Sequence, residues 1–182
     1  MTTDRDARQY GNRFIPLTNS WHSIDEIFTC CPAKCINSNI HSGQCENNGY
    51  IRVQPDGVVR YFSTNIDARN KFIKIYAERP FRKEACYQGG YCFYYFEVSM
   101  IEIANRESSS LFVGVKNDDI EVGVMFDGNE ISVIHNQRGQ IRSQHNWSSN
   151  DVIGVGLVFP PGGNLFEEPH LFLTLNGLKI GN

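Results

Sequence analysis

Four cysteines crowd one short stretch, Cys30, Cys31, Cys35 and Cys45, with His22 and His41 beside them. Thiolate and imidazole groups at close spacing are zinc ligands. A zinc site asks for pairs at C-x₂₋₄-C or H-x₃₋₅-H spacing, so that one turn delivers two donors to a tetrahedral ion. CCPAKC offers one such pair, Cys31 and Cys35, and no second pair follows. Cys45 and His41 are the remaining candidates, and the set Cys31, Cys35, Cys45 and His41 falls short of a complete site. Disulfides need an oxidising compartment, and MTTDRDARQYGNRF lacks the apolar stretch of a secretory signal. Free thiols are therefore expected, with Cys86 and Cys92 as packing residues. No metal or other cofactor is expected.

Catalysis needs a nucleophile, a base and an orienting group brought together. The chain has no G-x-S-x-G, no H-E-x-x-H, no P-loop and no EF-hand loop. His22, His41, His135, His145 and His170 are scattered without partners at telling spacings. Asp118-Asp119 and Glu167-Glu168 are adjacent, and adjacent strand residues point to opposite faces, which makes poor catalytic dyads. The expectation is a protein that is not an enzyme. Asn146-Trp147-Ser148 fits a glycosylation acceptor but is idle without export. Trp147 lies in the polar run QHNWSSN, where it either plugs the end of a core or anchors a partner, as Trp often does at binding hot spots.

The elements that must carry these residues read as strands. With 182 residues, 41% hydrophobic and 12% aromatic, the chain suffices for one domain with a substantial core. Its net charge of −3 excludes a strongly basic nucleic-acid binder. Cations gather between Arg69 and Lys83 and acids between Asp118 and Glu130, which reads as two solvated faces or as opposite charges offered to a partner. Nucleic-acid binding through Arg69 to Lys83 is disfavoured, because the apolar alternation there suggests strand packing. No apolar run reaches the roughly 20 residues that span a bilayer, so no membrane association is expected. The expected compartment is the cytoplasm or nucleus.

Residues 1–20 are polar and expected to be flexible. Residues 21–48 read as an irregular cysteine-containing arm, with a helical turn in SIDEIF capped by Ser23 and Glu26. Strand signals begin at Tyr50. GYIRV and VVRYF flank Gln54-Pro55-Asp56-Gly57, a turn in which Pro55 fixes φ and Gly57 permits a positive φ. NKFIKIYAE alternates as a half-buried strand. In FYYFEVSM, Tyr94, Phe96, Val98 and Met100 share one face, and a bulge is expected after Met100. SLFVGVK, VGVMFD, EISVIHN, DVIGVGLVF and LFLTL follow, parted by turn residues. The pattern predicts an all-β antiparallel β-sandwich over 49–182. In DVIGVGLVF, Ile153, Val155, Leu157 and Phe159 make the bulky face, and Gly154 and Gly156 leave the other bare, needing something packed close over it. Asn176-Gly177 marks a two-residue hairpin.

YYFEV, LFVGV, SVIHNQRGQI, NDVIGVGL and LFLTLNGLKIG occur in the order and approximate spacing of a SPRY domain. RYFSTNIDARNKFIKIYAERPF resembles the segment leading into that set in Ran-binding-protein-M-like members, and the secreted SPRY proteins of nematodes share the layout. Asn150 stands where the family has Gly, Val133 and Ile134 where it has aromatic and Gly, and PPGGNLFEEPH is a longer link. The resemblance implies a concanavalin-like jelly-roll whose last strands are lacking here, leaving an edge or gap for residues 21–48 or another chain to fill.

It also implies a non-catalytic module that binds a peptide or protein surface through loops at one end of the sandwich, as an adaptor or a substrate receptor in the ubiquitin pathway. Small-molecule ligands are not expected. By loop position the partner-binding residues are Tyr61, Asn65, Asn117, Asp118, Asp119, His135 and Trp147. The loop Asn117-Asp118-Asp119 would favour basic or amide-rich ligands, and loops on a rigid sandwich are where such folds place recognition. The alternative is a lectin-like sandwich, with Trp147 and Asn146 as its sugar platform.

Overall fold

The computed structural model describes residues 12–25, 27–28, 49–62, 72–83, 90–103, 105–118, 120–136, 138–143, 147–161 and 167–180. The fold is all-β. In chain order the strands are β1 (Arg13–Phe14), β2 (Trp21–Ile24), β3 (Tyr50–Val53), β4 (Val59–Phe62), β5 (Ile75–Ala77) and β6 (Cys92–Ser99). After a 3-10 turn at Arg106–Ser108 come β7 (Ser110–Asn117), β8 (Ile120–Asp127), β9 (Glu130–His135), β10 (Arg138–Ser143), β11 (Val152–Phe159), β12 (His170–Leu175) and β13 (Leu178–Ile180). The chain divides into two compact units, one of Met1–Pro16 with Phe81–Asn182, the other of Leu17–Pro80.

The larger unit is a sandwich of two sheets, ordered β1-β6-β11-β12-β13 and β10-β9-β8-β7. All pairings are antiparallel except that of β1 with β6. Period-2 alternation decides which side chains meet. Phe96, Val155, Leu173 and Ile180 form one cross-strand row of the first sheet. Leu111, Phe126 and Ile131 form a row of the second, and Val113, Val124 and Val133 the next. All of these pack into a single core. Each bulky side chain fully buried there is worth about 1.5–3 kcal/mol of transfer free energy. Tyr94 lies buried on the expected face of β6, Met100 is buried just beyond its end, and Cys92 is buried as a packing thiol.

The bare face of β11 has its cover within its own sheet. Tyr95 and Phe172 flank Gly156 from the neighbouring strands, with ring centroids 5.9 Å apart and planes 10° from parallel. A methyl group on Gly156 would collide with Phe172, and one on Gly154 with Tyr95 and Thr174. The Tyr95 hydroxyl meets Thr174 Oγ1 at 2.9 Å and donates to Glu97 Oε1 at 2.8 Å. Burial, reinforced by Glu97 against the opposing effect of Thr174, holds the Tyr95 phenol above its ordinary pKa. The atoms that a methyl group on either glycine would meet first thus belong to the neighbouring strands of the same sheet.

The β12–β13 hairpin turns on Asn176-Gly177, both at positive φ, as the sequence predicts. Asn176 also clasps β11. Its Oδ1 accepts from the Val152 amide at 2.9 Å, and its Nδ2 donates to Asp151 Oδ1 at 2.9 Å. Asp151 Oδ2 accepts from the Ser148 amide at 2.7 Å. Asn176→Ala loses both side-chain bonds and puts a less tolerant residue at φ 52°. The expected cost is about 1–2 kcal/mol, read as a lower urea midpoint at unchanged slope.

Several local expectations change. Residues 1–20 contain β1, anchored by Arg13 N–H to Tyr91 O at 2.8 Å and Ile15 N–H to Phe93 O at 2.9 Å. No bulge follows Met100. The strand stops at Ser99, the Met100 amide donates to Asp151 O at 2.9 Å, and Ile101 is exposed.

In the smaller unit β2 pairs with β5 and β3 with β4. The expected helical turn over SIDEIF is instead strand up to Ile24, because Ser23 and Ile24 pair with Tyr76 and Ile75. The turn comes at Asp25, whose Oδ1 accepts from the Ile27 amide at 3.3 Å and whose carbonyl accepts from the Phe28 amide at 3.0 Å. β5 is shorter than NKFIKIYAE suggests, and Phe72 lies outside it, exposed. The β3–β4 turn is as expected, with the Gln54 amide donating to Val58 O at 2.8 Å and Gly57 at φ 86°.

Candidate functional site

Two hairpin turns meet at one end of the four-stranded sheet. Asn117 pairs with Ile120, so the β7–β8 connection is tight, with Asp118 at φ 43°. Turns of this kind match the twist of the flanking strands and need residues that tolerate positive φ, as Asn and Asp do. Next to it, β9 passes into β10 through Asn136 at φ 49°. Asn136 is a clamp between the two. Its amide donates to Glu121 O at 2.9 Å, and its Oδ1 accepts from the Glu121 amide at 3.0 Å. The turn of one hairpin is thereby fixed to the first residues of the other.

The groups gathered here are Asn117, Asp118, Ile120, His135 and Asn136, all exposed. His135 continues the inward row of Ile131 and Val133 beyond the core and pairs with Val122. Lys116 faces Glu121 in register, an opposite-charge pair that favours this alignment of the hairpin. Together they offer a carboxylate, amides, an imidazole and an exposed aliphatic on a short, clamped scaffold. Such a surface can recognise hydrogen-bonding and cationic groups.

The structure therefore brings Asn117, Asp118 and His135 together. Tyr61 sits on β4 of the smaller unit, 48% exposed. Asn65 and Asp119 lie outside the described residues, as do Cys31, Cys35, Cys45 and His41. Among the described residues no group of three or more His, Cys, Asp or Glu side chains is arranged to hold a metal.

Trp147 is not a recognition anchor. It is 1% exposed, tilted against Phe126 at 5.4 Å, and its Nε1 donates to Gly128 O at 2.6 Å. Gly128 belongs to the β8–β9 turn, at the opposite end of the sheet from Asp118 and His135. The polar run around Trp147 hid a long-range partner, and the plug role is the one the structure shows. Asn136 is the residue that sequence reasoning missed. Its signal was present, since Asn at a strand end before Gln-Arg-Gly tolerates the left-handed conformation.

Comparison with family models, with curated proteins and with solved structures gave no match. The fold and site on their own define an all-β sandwich with a loop-built polar surface at one end, and no helix among the described residues is long and apolar enough to cross a membrane.

Proposed function

We propose that this chain is a non-catalytic protein-interaction module, an adaptor or substrate receptor that holds a peptide or protein surface on the β7–β8 and β9–β10 turns. The observation that carries the reading is the Asn136–Glu121 clamp, which joins the two turns into one preformed surface. A preformed surface forfeits little ordering entropy when it binds. The ordered motifs resembling SPRY domains support the same reading and suggest loop-end recognition. Asn117 and Asp118 favour a basic or amide-rich segment in the partner. The carbohydrate alternative rested on Trp147 as an exposed platform, and that ring is buried.

The test uses Asp118→Asn together with His135→Ala. Asn tolerates the positive φ of Asp118, so the turn is kept while the charge is lost. Proteins captured by the wild type should bind the double variant about tenfold or more weakly, with an unchanged thermal unfolding curve. Equal capture by the variant would remove this end of the sheet from consideration.

A further inference from the structure

The turn of the β12–β13 hairpin holds chemistry that the loop-end site does not use. Asn176 and Gly177 are adjacent, exposed to water and both at positive φ. An asparagine side chain is open to attack by the backbone nitrogen that follows it, and most so before glycine, which has no Cβ to shield that nitrogen. The Gly177 nitrogen gives up its proton and bonds to Asn176 Cγ. The Cγ–Nδ2 bond breaks, and ammonia leaves with that proton. Water then opens the cyclic imide, its hydroxyl going to carbon and its proton back to the Gly177 nitrogen. Opening at Cγ leaves an aspartate. Opening at the main-chain carbonyl leaves an isoaspartate, with an extra backbone atom. Neither route needs an oxidant or a reductant.

The fold holds the reacting carbon away from this path. The Asn176 amide donates to Val152 O at 2.8 Å, its Oδ1 accepts from the Val152 amide at 2.9 Å, and its Nδ2 donates to Asp151 Oδ1 at 2.9 Å. Both polar atoms of the carboxamide are thus engaged at the start of β11. Bringing Cγ to the Gly177 nitrogen breaks both side-chain bonds, so the reaction runs through local openings of the hairpin. The product has no way back to the same clasp. A carboxylate lacks the Nδ2 donor and sets acceptor against acceptor at Asp151, where like charges repel. An isoaspartate also lengthens the tight turn that fixes the pairing of Leu175 with Leu178.

From this geometry we infer that Asn176 is a self-modification site, gated by its clasp on Asp151 and Val152, whose deamidation makes an opening of the β12–β13 hairpin irreversible. The change reaches further along the chain. Asp151 Oδ2 also accepts from the Ser148 amide, next to the buried Trp147. The loop-end surface at Asp118 and His135 takes no part in it.

The experiment incubates the full chain, folded and in concentrated urea, at neutral and at mildly alkaline pH. Peptide mapping by mass spectrometry follows Asn176, with Asn48-Gly49, the other Asn-Gly pair in the sequence, as the reference in each sample. In urea both pairs should convert at similar rates, faster at the higher pH. In the folded chain Asn176 should convert about tenfold or more slowly than in urea. Asp151→Ala should speed the folded reaction about fivefold, as loss of an ordinary hydrogen bond does. Should that variant not fold, the wild-type rate at urea concentrations below the midpoint replaces it and should climb with urea. The consequence is read separately. Asn176→Asp should lower the urea midpoint, and adding Asp151→Asn should recover it, since the new amide donates to the carboxylate and still accepts from Ser148. The proposal is overturned by equal rates in folded and unfolded chain, by a folded rate that neither Asp151→Ala nor urea changes, or by an Asn176→Asp protein with the wild-type midpoint.

Discussion

Trp147→Ala is expected to cost about 3–5 kcal/mol of folding stability, as aromatic truncations in cores do. Domains of ordinary stability have about 5–15 kcal/mol in total, so this substitution alone brings the larger unit close to unfolding. Two losses combine. The indole is 1% exposed and packs on Phe126, which has no exposed surface of its own, so its removal leaves a cavity beside a side chain with no route to solvent. The Gly128 carbonyl also loses the Nε1–H donor now 2.6 Å away. Trp147→Phe separates the two contributions. It refills much of the volume and forfeits the hydrogen bond, for an expected cost nearer 1–2 kcal/mol plus the imperfect fit of the smaller ring. Urea unfolding of the three proteins, with partner capture on the same samples, decides the matter. A Trp147→Ala protein that unfolds at the wild-type midpoint yet loses its partner would restore the anchor role and refute the plug.

How much of this was legible beforehand follows from the range of the interactions involved. Alternation in FYYFEV and DVIGVGLVF is local, and so is the turn chemistry of Pro55-Asp56-Gly57 and Asn176-Gly177. These gave the strands, their faces and two hairpins. SIDEIF carried an equally local helix signal and lost to a distant one, the pairing of Ser23 and Ile24 with Tyr76 and Ile75. The cover over Gly154 and Gly156 was inferable as a need but not as a source. Only the strand order reveals that β6 and β12 flank β11, and so that Tyr95 and Phe172 lean over it. The candidate site divides in the same way. Asp118 and His135 stand out by type and by turn position. That their turns are joined depends on two backbone-linked bonds between Asn136 and Glu121, which no spacing rule announces. Trp147 was grouped with them because both lie in loops, and the register shows the loops to be at opposite ends.

Gly123→Ala is the second substitution with a large expected effect, and it links the sheet to the site. Gly123 faces Gly114 across the β7–β8 pair, and both are overlain by the tip of the Phe112 ring. A methyl group on Gly123 would strike the Val113 carbonyl oxygen and lie 2.6 Å from Gly114 Cα and 2.7 Å from the Phe112 ring. The ring can swing aside, but the other two atoms are backbone of the paired strand. Relief then requires the strands to part at that row, two residues from Glu121. The expected cost is about 2–3 kcal/mol, the upper part of the range for overpacked interiors. Gly57→Ala is the comparison. It meets nothing within 4 Å and sits at φ 86°, so it carries only backbone strain, about 1–2 kcal/mol. Because Gly114→Ala attacks the same contact, the double variant should cost less than the sum of the two. The opening of the row should also loosen the seat of the Asn136 clamp. Partner binding by folded Gly123→Ala protein is therefore expected to fall. A Gly123→Ala protein with wild-type stability would mean that β7 and β8 do not approach this closely. A stable variant that kept its partner would detach the clamp from function.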